Sequence, residues 1–430
     1  MTYEEAIQFL IQSYTKGKKH GHDSLRAVLE KMGAPHKALR VIHVAGTNGK
    51  GSVCAMLSSV LEASGYLTGV FTSPHLQQFN ERLAVGGAHA TDEEMAVHLT
   101  AAADAMHKVL PTGDSLSYFQ LLTLAAFSFF AARKVDFAIV ETGIGGRLDS
   151  TNVFESCELS VITSVGFDHM EILGDTIEQI AREKSGIIKK NCPVVLYSCG
   201  GEVYNVVSVK ASACNAPLYH DNAAVIQTRP IGLSGLMLDI ETQYFAYKDV
   251  MLGLLGAYQP MNACTALLAV HALRENGIVI PEDALRAGLA HVQWPGRMEV
   301  ICQKPLIVLD GAHNPEAAEL FKRSAAAYFA GRHVTVVIGV LRGKAYEALV
   351  NDLSEGAQAV ILTRPAYETK ATQPQALYDA LANKDRLVVT ESDYRRAMEI
   401  AMRVTPEDGV IVCAGSLYLV GDVRAHMLKK

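Results

Sequence analysis

The stretch from Arg40 to Leu61 constrains this chain more than any other. Val41-Ile42-His43-Val44-Ala45 reads as a buried strand and leads into Gly46-Thr47-Asn48-Gly49-Lys50-Gly51-Ser52. Behind that turn, Val53, Met56, Leu57, Val60 and Leu61 recur at i, i+3, i+4, i+7 and i+8, one apolar face of a helix. Strand, glycine-rich turn and helix are the context of a phosphate-binding loop. Glycines let backbone N–H groups turn inward around an anion, and the helix N-terminus adds its positive end. Lys50 is placed to reach outer phosphates, and Ser52 offers a hydroxyl to Mg²⁺. The general G-x-x-x-x-G-K-[ST] pattern is met imperfectly: Val44 stands at its first glycine and Gly51 at its hydroxyl position.

The same alternation continues along the chain. Strands are expected at Leu67–Thr72, Phe137–Glu141, Leu159–Ser164 and Val194–Tyr197, with helical patterns between most of them. A mostly parallel sheet covered on both faces follows. The texture changes near Leu218, where Leu236–Glu241 and Tyr244–Val250 predict a small antiparallel hairpin. A helix is expected over Asn262–Asn276, then a hinge at Trp294-Pro295-Gly296-Arg297. From Leu306 the alternation restarts, with strands expected at Leu306–Asp310, Val334–Ile338, Ala359–Thr363, Leu387–Thr390 and Val410–Ala414. The expected fold is therefore α/β in two domains. Residues 1–296 form a P-loop-type unit with a small antiparallel addition, and 297–430 a smaller, Rossmann-like α/β unit.

Composition removes several function classes. With 39 basic and 45 acidic side chains the formal charge is −6, which excludes a strongly cationic nucleic-acid binder. A 49% hydrophobic and 20% charged chain is not a disordered one. Glu4 and Glu5 stand where a secretory signal wants positive charge. The longest strongly apolar run, Leu121 to Ala132, is too short to span a bilayer. Eight cysteines include no C-x-x-C pair. The expectation is a cytoplasmic protein with free thiols, no nucleic-acid or membrane partner, and a monomeric state by default.

Ligands of open α/β sheets collect at the carboxyl ends of the strands. Ser73, Glu141 and His169 fall at or after such ends. A carboxylate there can hold Mg²⁺ against nucleotide phosphates, and Ser73 supplies another hard oxygen. His169 is a less typical Mg²⁺ ligand, and a satisfied loop histidine is the alternative. Gly143-Ile144-Gly145-Gly146 marks a tight turn or a close backbone approach to a ligand. Thr176–Lys190 is read as a helix whose apolar positions include Ile177, Ile180 and Ala181. Lys184 shares their face. Such a lysine either snorkels to water or is buried with a lowered pKa.

Seven further blocks occur in order along the chain: Thr72-Ser73-Pro74-His75-Leu76, Phe79-Asn80-Glu81-Arg82, Glu141 to Asp149, Asp168-His169, Glu183-Lys184-Ser185-Gly186, Pro295-Gly296-Arg297, and Asp310 to Pro315. Together with GTNGKGS, this set resembles the folylpolyglutamate synthase and dihydrofolate synthase family of the Mur ligase superfamily. The resemblance implies an ATP-dependent, Mg²⁺-requiring ligase joining L-glutamate to a folate or dihydropteroate carboxylate through an acyl phosphate. Adding the first glutamate and extending a glutamate tail use the same chemistry, so both remain open.

The resemblance also assigns residues. It puts Thr47, Asn48, Gly49, Lys50, Gly51, Ser52, Asn262, Arg297 and Asp310 on the nucleotide. The metal position takes Ser52, Ser73, Glu141, His169 and Lys184, the last as a carbamate. Arg82 comes near the pterin substrate, in a long loop from Ser73 to Gly87, and His313 and Ser416 line the glutamate subsite. Lys50, Glu141, His169 and Lys184 are then the catalytic candidates. Two departures stand out. Gly343-Lys344-Ala345 lies where the family often has Asp-Lys-Asp, and Phe119-Gln120 where it commonly has Phe-Glu. The competing readings are a Mur-type peptide ligase acting on another carboxylate and a non-ligase P-loop ATPase. The segment before Gly46 is shorter than the nucleotide-sugar domain that such peptide ligases generally carry.

Overall fold

The computed structural model describes residues 1–342, 346–367 and 370–428; Gly343-Lys344-Ala345 lies outside them. Three sheets organise the chain. The first holds β1 (Val41–Ala45), β2 (Thr68–Phe71), β3 (Leu83–Val85), β4 (Ala88–His89), β5 (Phe137–Glu141), β6 (Leu159–Ile162), β7 (Val194–Leu196) and β8 (Leu218–Tyr219). Its order is β4-β3-β2-β5-β1-β6-β7-β8, parallel from β2 to β8, with β3 and β4 added antiparallel at one edge.

Successive strand residues point to opposite faces, so every central position needs an apolar side chain. Ile42 and Val44 of β1 face one core with Val53, Met56, Leu57, Val60 and Leu61, the five positions read from the helical spacing. Val41 faces the other, with Phe127, Phe130 and Leu99 from the helices Tyr118–Arg133 and Asp92–Val109. β1 is buried along its whole length.

The second sheet holds β9 (Val225–Pro230), β10 (Leu236–Glu241) and β11 (Ala246–Leu252), all antiparallel, with β10 in the middle. The sequence predicts only a hairpin here. β9 lacks the pattern because it is an edge strand whose side chains are mostly exposed. Backbone pairing to β10 creates it.

The third sheet holds β12 (Glu299–Gln303), β13 (Leu306–Leu309), β14 (Val334–Ile338), β15 (Ala359–Leu362), β16 (Leu387–Thr390) and β17 (Val410–Ala414). The order is β12-β13-β17-β14-β15-β16, with only β12 antiparallel. Val308, Val336 and Val412 face one set of helices, and Leu309, Val337 and Cys413 the other. All five strands expected in this half form.

Two local expectations are corrected. The helix begun by Thr176 runs only over Ile177–Lys184, then tightens to a 3₁₀ turn over Ser185–Ile187. Gly186 explains the stop: it lies so close to the Arg147 backbone that a Cβ there would collide. The stretch from Ser73 to Gly87 is not one long loop. It contains a 3₁₀ turn over Phe79–Arg82 and then β3. Among the described residues no helix is long and apolar enough to cross a membrane.

Candidate active site

The carboxyl ends of β1, β5 and β6 open onto one cleft, and the helix start after β13 closes its far side. The glycine-rich turn is stitched to the exit of β6. Thr47 N–H donates to Ser164 O at 2.6 Å and Asn48 N–H to Ser164 Oγ at 3.1 Å. Thr163 Oγ1 donates to Asn48 O at 2.7 Å. Gly49 has φ +84°, and a Cβ there would run into Asn262 Oδ1. Only glycine satisfies both the left-handed turn and that contact. Lys50 opens the helix Lys50–Ala63, and its ammonium folds back over the turn, donating to Gly46 O at 3.1 Å and Thr47 O at 3.2 Å.

Glu141, the last residue of β5, sits 3.7 Å from Lys50 Nζ and accepts from Ser73 N–H at 3.1 Å. It is only 4% exposed, and burial pushes its carboxyl up, against the pull of Lys50. Lys184, 3% exposed, shares the cleft; burial, helped by the Lys50 charge, brings its pKa down to about 7. Ser52 lines the cleft too, its hydroxyl accepting from Gln259 Nε2 at 3.2 Å. His169 lies seven residues beyond the end of β6, in a left-handed conformation at the head of the short helix Met170–Leu173. Its Nδ1 is 3.6 Å from Glu171 and its Nε2 4.0 Å from Asp168.

Arg297, Asp310 and His313 come from the other side of the cleft. Asp310 is buried and held by three donors: Tyr258 OH at 2.8 Å, Met298 N–H at 3.0 Å and Ala312 N–H at 2.8 Å. Burial raises its carboxyl, and the Arg297 charge opposes that rise. His313 Nδ1 lies 2.8 Å from Gly311 O. Asn262 lines the cleft and donates to Gln259 Oε1 at 3.1 Å. The two flanks touch directly at Asn48. Its amide donates to Glu316 Oε2 at 2.8 Å and accepts from Asn314 Nδ2 at 3.1 Å.

Two expected residues lie outside the cleft lining. Arg82 is buried behind it, donating from Nε to His75 Nδ1 at 2.8 Å with its guanidinium 5.4 Å from the Tyr118 ring centre. Burial and the Arg82 charge keep His75 neutral, with a pKa of about 3. One Arg82 nitrogen is buried without a hydrogen-bond partner among the described residues. Ser416 is buried at the start of the helix Leu417–Leu428, where its hydroxyl accepts from Tyr418 N–H at 3.2 Å. Gln120 accepts from His20 N–H at 3.2 Å and donates to His20 O at 2.7 Å. A glutamate at this position could only accept when ionised, so the amide suits this packing.

Sequence reasoning missed Tyr258, Glu316 and Asn314. Glu316 and Asn314 carried a signal, but it reads as ordinary helix capping: Asn314 caps Pro315–Tyr328, and Glu316 lies in its first turn. Tyr258 had none.

Comparison with known proteins supplies the family. The Mur ligase middle domain model matches residues 44–270, and the Mur ligase glutamate ligase domain model matches 296–417. The dihydrofolate synthase/folylpolyglutamate synthase of Bacillus subtilis is 36% identical over 436 residues, covering 99% of each chain. This chain belongs to the folylpolyglutamate synthase/dihydrofolate synthase family of Mur ligases. Solved structures of the family agree in fold. Mycobacterium tuberculosis folylpolyglutamate synthase complexed with ADP superposes with a TM-score of 0.91 at 29% identity, covering 99% of this chain and 98% of that one. Escherichia coli FolC in complex with DHPP and ADP gives 0.88 at 28% identity, over 100% and 98%. Like the family, this chain is an ATP-dependent, amide-forming ligase.

Proposed function

We propose that this ligase adds L-glutamate to the carboxylate of a folate, and also accepts dihydropteroate. One observation carries the reading: the glycine-rich turn with Lys50 and the Asp310–His313 segment face each other across a single cleft. Relatives with both named activities support it. The acceptor carboxylate oxygen attacks the γ-phosphorus of ATP and ADP leaves, giving an acyl phosphate. The amine of glutamate then attacks the acyl carbon. Phosphate departs, the nitrogen loses a proton, and an amide remains. Lys50 and the turn amides offset charge during phosphoryl transfer. The cleft walls keep water from the acyl phosphate. Thr47, Asn48, Gly49, Lys50, Gly51, Ser52, Asn262, Arg297 and Asp310 are assigned to the nucleotide, His313 and Ser416 to glutamate, and Arg82 to the pterin substrate.

Mg²⁺ fits the residues present. No three of His, Cys, Asp and Glu cluster around a metal position among the described residues. Mg²⁺ is commonly held by one or two carboxylates plus nucleotide oxygens, not by an all-protein cage. Glu141, which accepts from the Ser73 N–H, would supply the carboxylate, and Ser52, Ser73, His169 and Lys184 as a carbamate, which line the same cleft, are the other ligands assigned to it. Bound there, the ion would offset charge on the phosphates. Lys184, with a pKa near 7, has the neutral amine that carbamylation requires. We divide the chain into functional units at 296/297, and the reading is completed by a monomer in the cytoplasm.

The test is ADP release and labelled-glutamate incorporation with ATP and Mg²⁺, run in parallel with dihydropteroate and with reduced folates. Release that needs both glutamate and a pterin supports the reading. Release indifferent to both makes the protein a regulatory ATPase, and release dependent on glutamate but on neither pterin points to a different carboxylate.

A further inference from the structure

The cleft uses none of the eight cysteines, all of which are free thiols. Two of them meet. Cys157 precedes β6 and Cys192 precedes β7, two adjacent parallel strands in which Ser160 pairs with Val194. The Cys157 N–H donates to Cys192 Sγ at 3.3 Å, and Cys192 Sγ donates to Lys190 O at 3.5 Å. Cys157 Sγ lies 3.4 Å from Ser160 Oγ. Lys189, half-buried and anchored on Asn152 Oδ1 at 2.6 Å, is near enough for its charge to act on both sulfurs. Cys157 also lines a surface groove of about 310 Å³ with Arg40, Glu158, Asn191 and Pro193, and Cys192, between the last two, is 7% exposed. The pair lies at the amino ends of strands whose carboxyl ends carry the active-site cleft.

We propose that Cys157 and Cys192 form a reversible disulfide site for peroxide, with Cys192 as the attacking sulfur and Cys157 as the resolving one. Cys157 lowers the Cys192 pKa and favours its thiolate, its N–H donating to that sulfur, while Cys192 and burial hold Cys157 protonated. The Cys192 sulfur attacks one peroxide oxygen. The O–O bond breaks, and the departing hydroxide takes a proton to leave as water, giving a sulfenic acid. The Cys157 sulfur then attacks the Cys192 sulfur. The S–O bond breaks, and the hydroxyl leaves as a second water with the Cys157 proton. Two thiols and one peroxide thus become one disulfide and two waters. A resolving thiol in contact stops the ladder before the irreversible sulfinic acid. This inference is independent of the ligase reading.

The experiment treats the full chain with hydrogen peroxide and maps non-reduced peptides by mass spectrometry. The expected product is one peptide pair joining Cys157 to Cys192, lighter by two hydrogens and restored by dithiothreitol. Cys192 should be consumed about ten-fold faster than Cys199, whose pKa burial pushes up to about 11. In Cys157→Ser, the Cys192 sulfenic acid should persist and be captured by dimedone. Cys192 passing to sulfinic acid in the unaltered chain with no linked pair, or reacting no faster than Cys199, would overturn the proposal.

Discussion

At the scale of single residues, the cleft gathers the charges of Lys50, Glu141, Lys184, Arg297 and Asp310. Lys50 is the residue assigned to phosphate, and among the described residues its ammonium bonds to turn carbonyls and pairs with Glu141. Lys50→Ala should lower ATP turnover by about 10²–10³-fold while the far-UV circular dichroism spectrum stays that of the parent. Near-parental turnover in a folded variant would remove the phosphate-loop assignment. Lys184 makes a sharper case. Carbamylation joins the neutral amine nitrogen to the carbon of CO₂ and releases one proton. With a pKa of about 7, the reactive neutral form grows as pH rises through 7, well below the range of an ordinary lysine. Stripping CO₂ should therefore cut activity and bicarbonate should restore it. Lys184→Ala should lose most activity and regain part with a small carboxylic acid; identical activity with and without CO₂ would sink the carbamate. His43, in the middle of β1, is fully buried, with Nε2 2.9 Å from Thr151 Oγ1, and burial lowers its pKa to about 3. Its unfolded pKa lies near 6.5, so the unfolded chain binds more protons between those values. The stability it supports is present above about pH 6.5 and lost as pH falls towards 3, by up to about 1.4 kcal/mol per pH unit. Urea midpoints near pH 7 and near pH 5 should differ less in His43→Gln than in the parent.

At the scale of elements, the end of one short helix positions Lys184. Thr176 caps Ile177–Lys184 with a hydroxyl accepting from Gln179 N–H at 3.2 Å, and Gln179 answers to the Thr176 backbone. The apolar spacing of Ile177, Ile180 and Ala181 reveals the helix, but its stop depends on a distant partner. The Arg147 backbone crosses against Gly186, and Asn152 ties the crossing by donating to Arg147 O at 3.2 Å and Gly186 O at 3.0 Å. Two substitutions should separate stability from function here. Thr176→Ala should cost about 1 kcal/mol of stability, read from the urea midpoint, with activity largely kept. Gly186→Ala must move the turn that carries Lys184 and should lose activity out of proportion to its loss of stability. Equal activity losses at equal stability would leave the turn with a purely structural part. The same contrast explains β9 and β12. Each is an edge strand whose side chains are mostly exposed or half-buried, so pairing created what periodicity did not announce.

At the scale of the whole molecule, the cleft exists because two sheets present the carboxyl ends of their strands to each other. Asn48 spans it to Glu316 and Asn314, and the Tyr258 hydroxyl spans it to Asp310. Arg297→Ala and Asp310→Ala should each raise the KM for ATP by about ten-fold or more, although neither residue lies in the segment that carries the glycine-rich turn. ATP titrations that match the parent in both variants would assign these residues to holding the two flanks together instead.

The sequence by itself determined most of the fold. Parallel strands buried on both faces demand runs such as Val41–Ala45 and Val410–Ala414, and their helices demand an apolar stripe; both patterns are local and readable. It also determined the turn chemistry of Gly46–Ser52 and the carboxylate of Glu141, because each follows directly from a strand end. Only the tertiary structure decided what faces what. It buried Arg82 beneath Tyr118, brought Glu316 to Asn48 from far along the chain, and joined Cys157 to Cys192. The reason is physical. Periodicity records which side of an element is apolar, whereas a hydrogen bond between distant elements depends on how those elements dock, and no spacing along the chain encodes that distance.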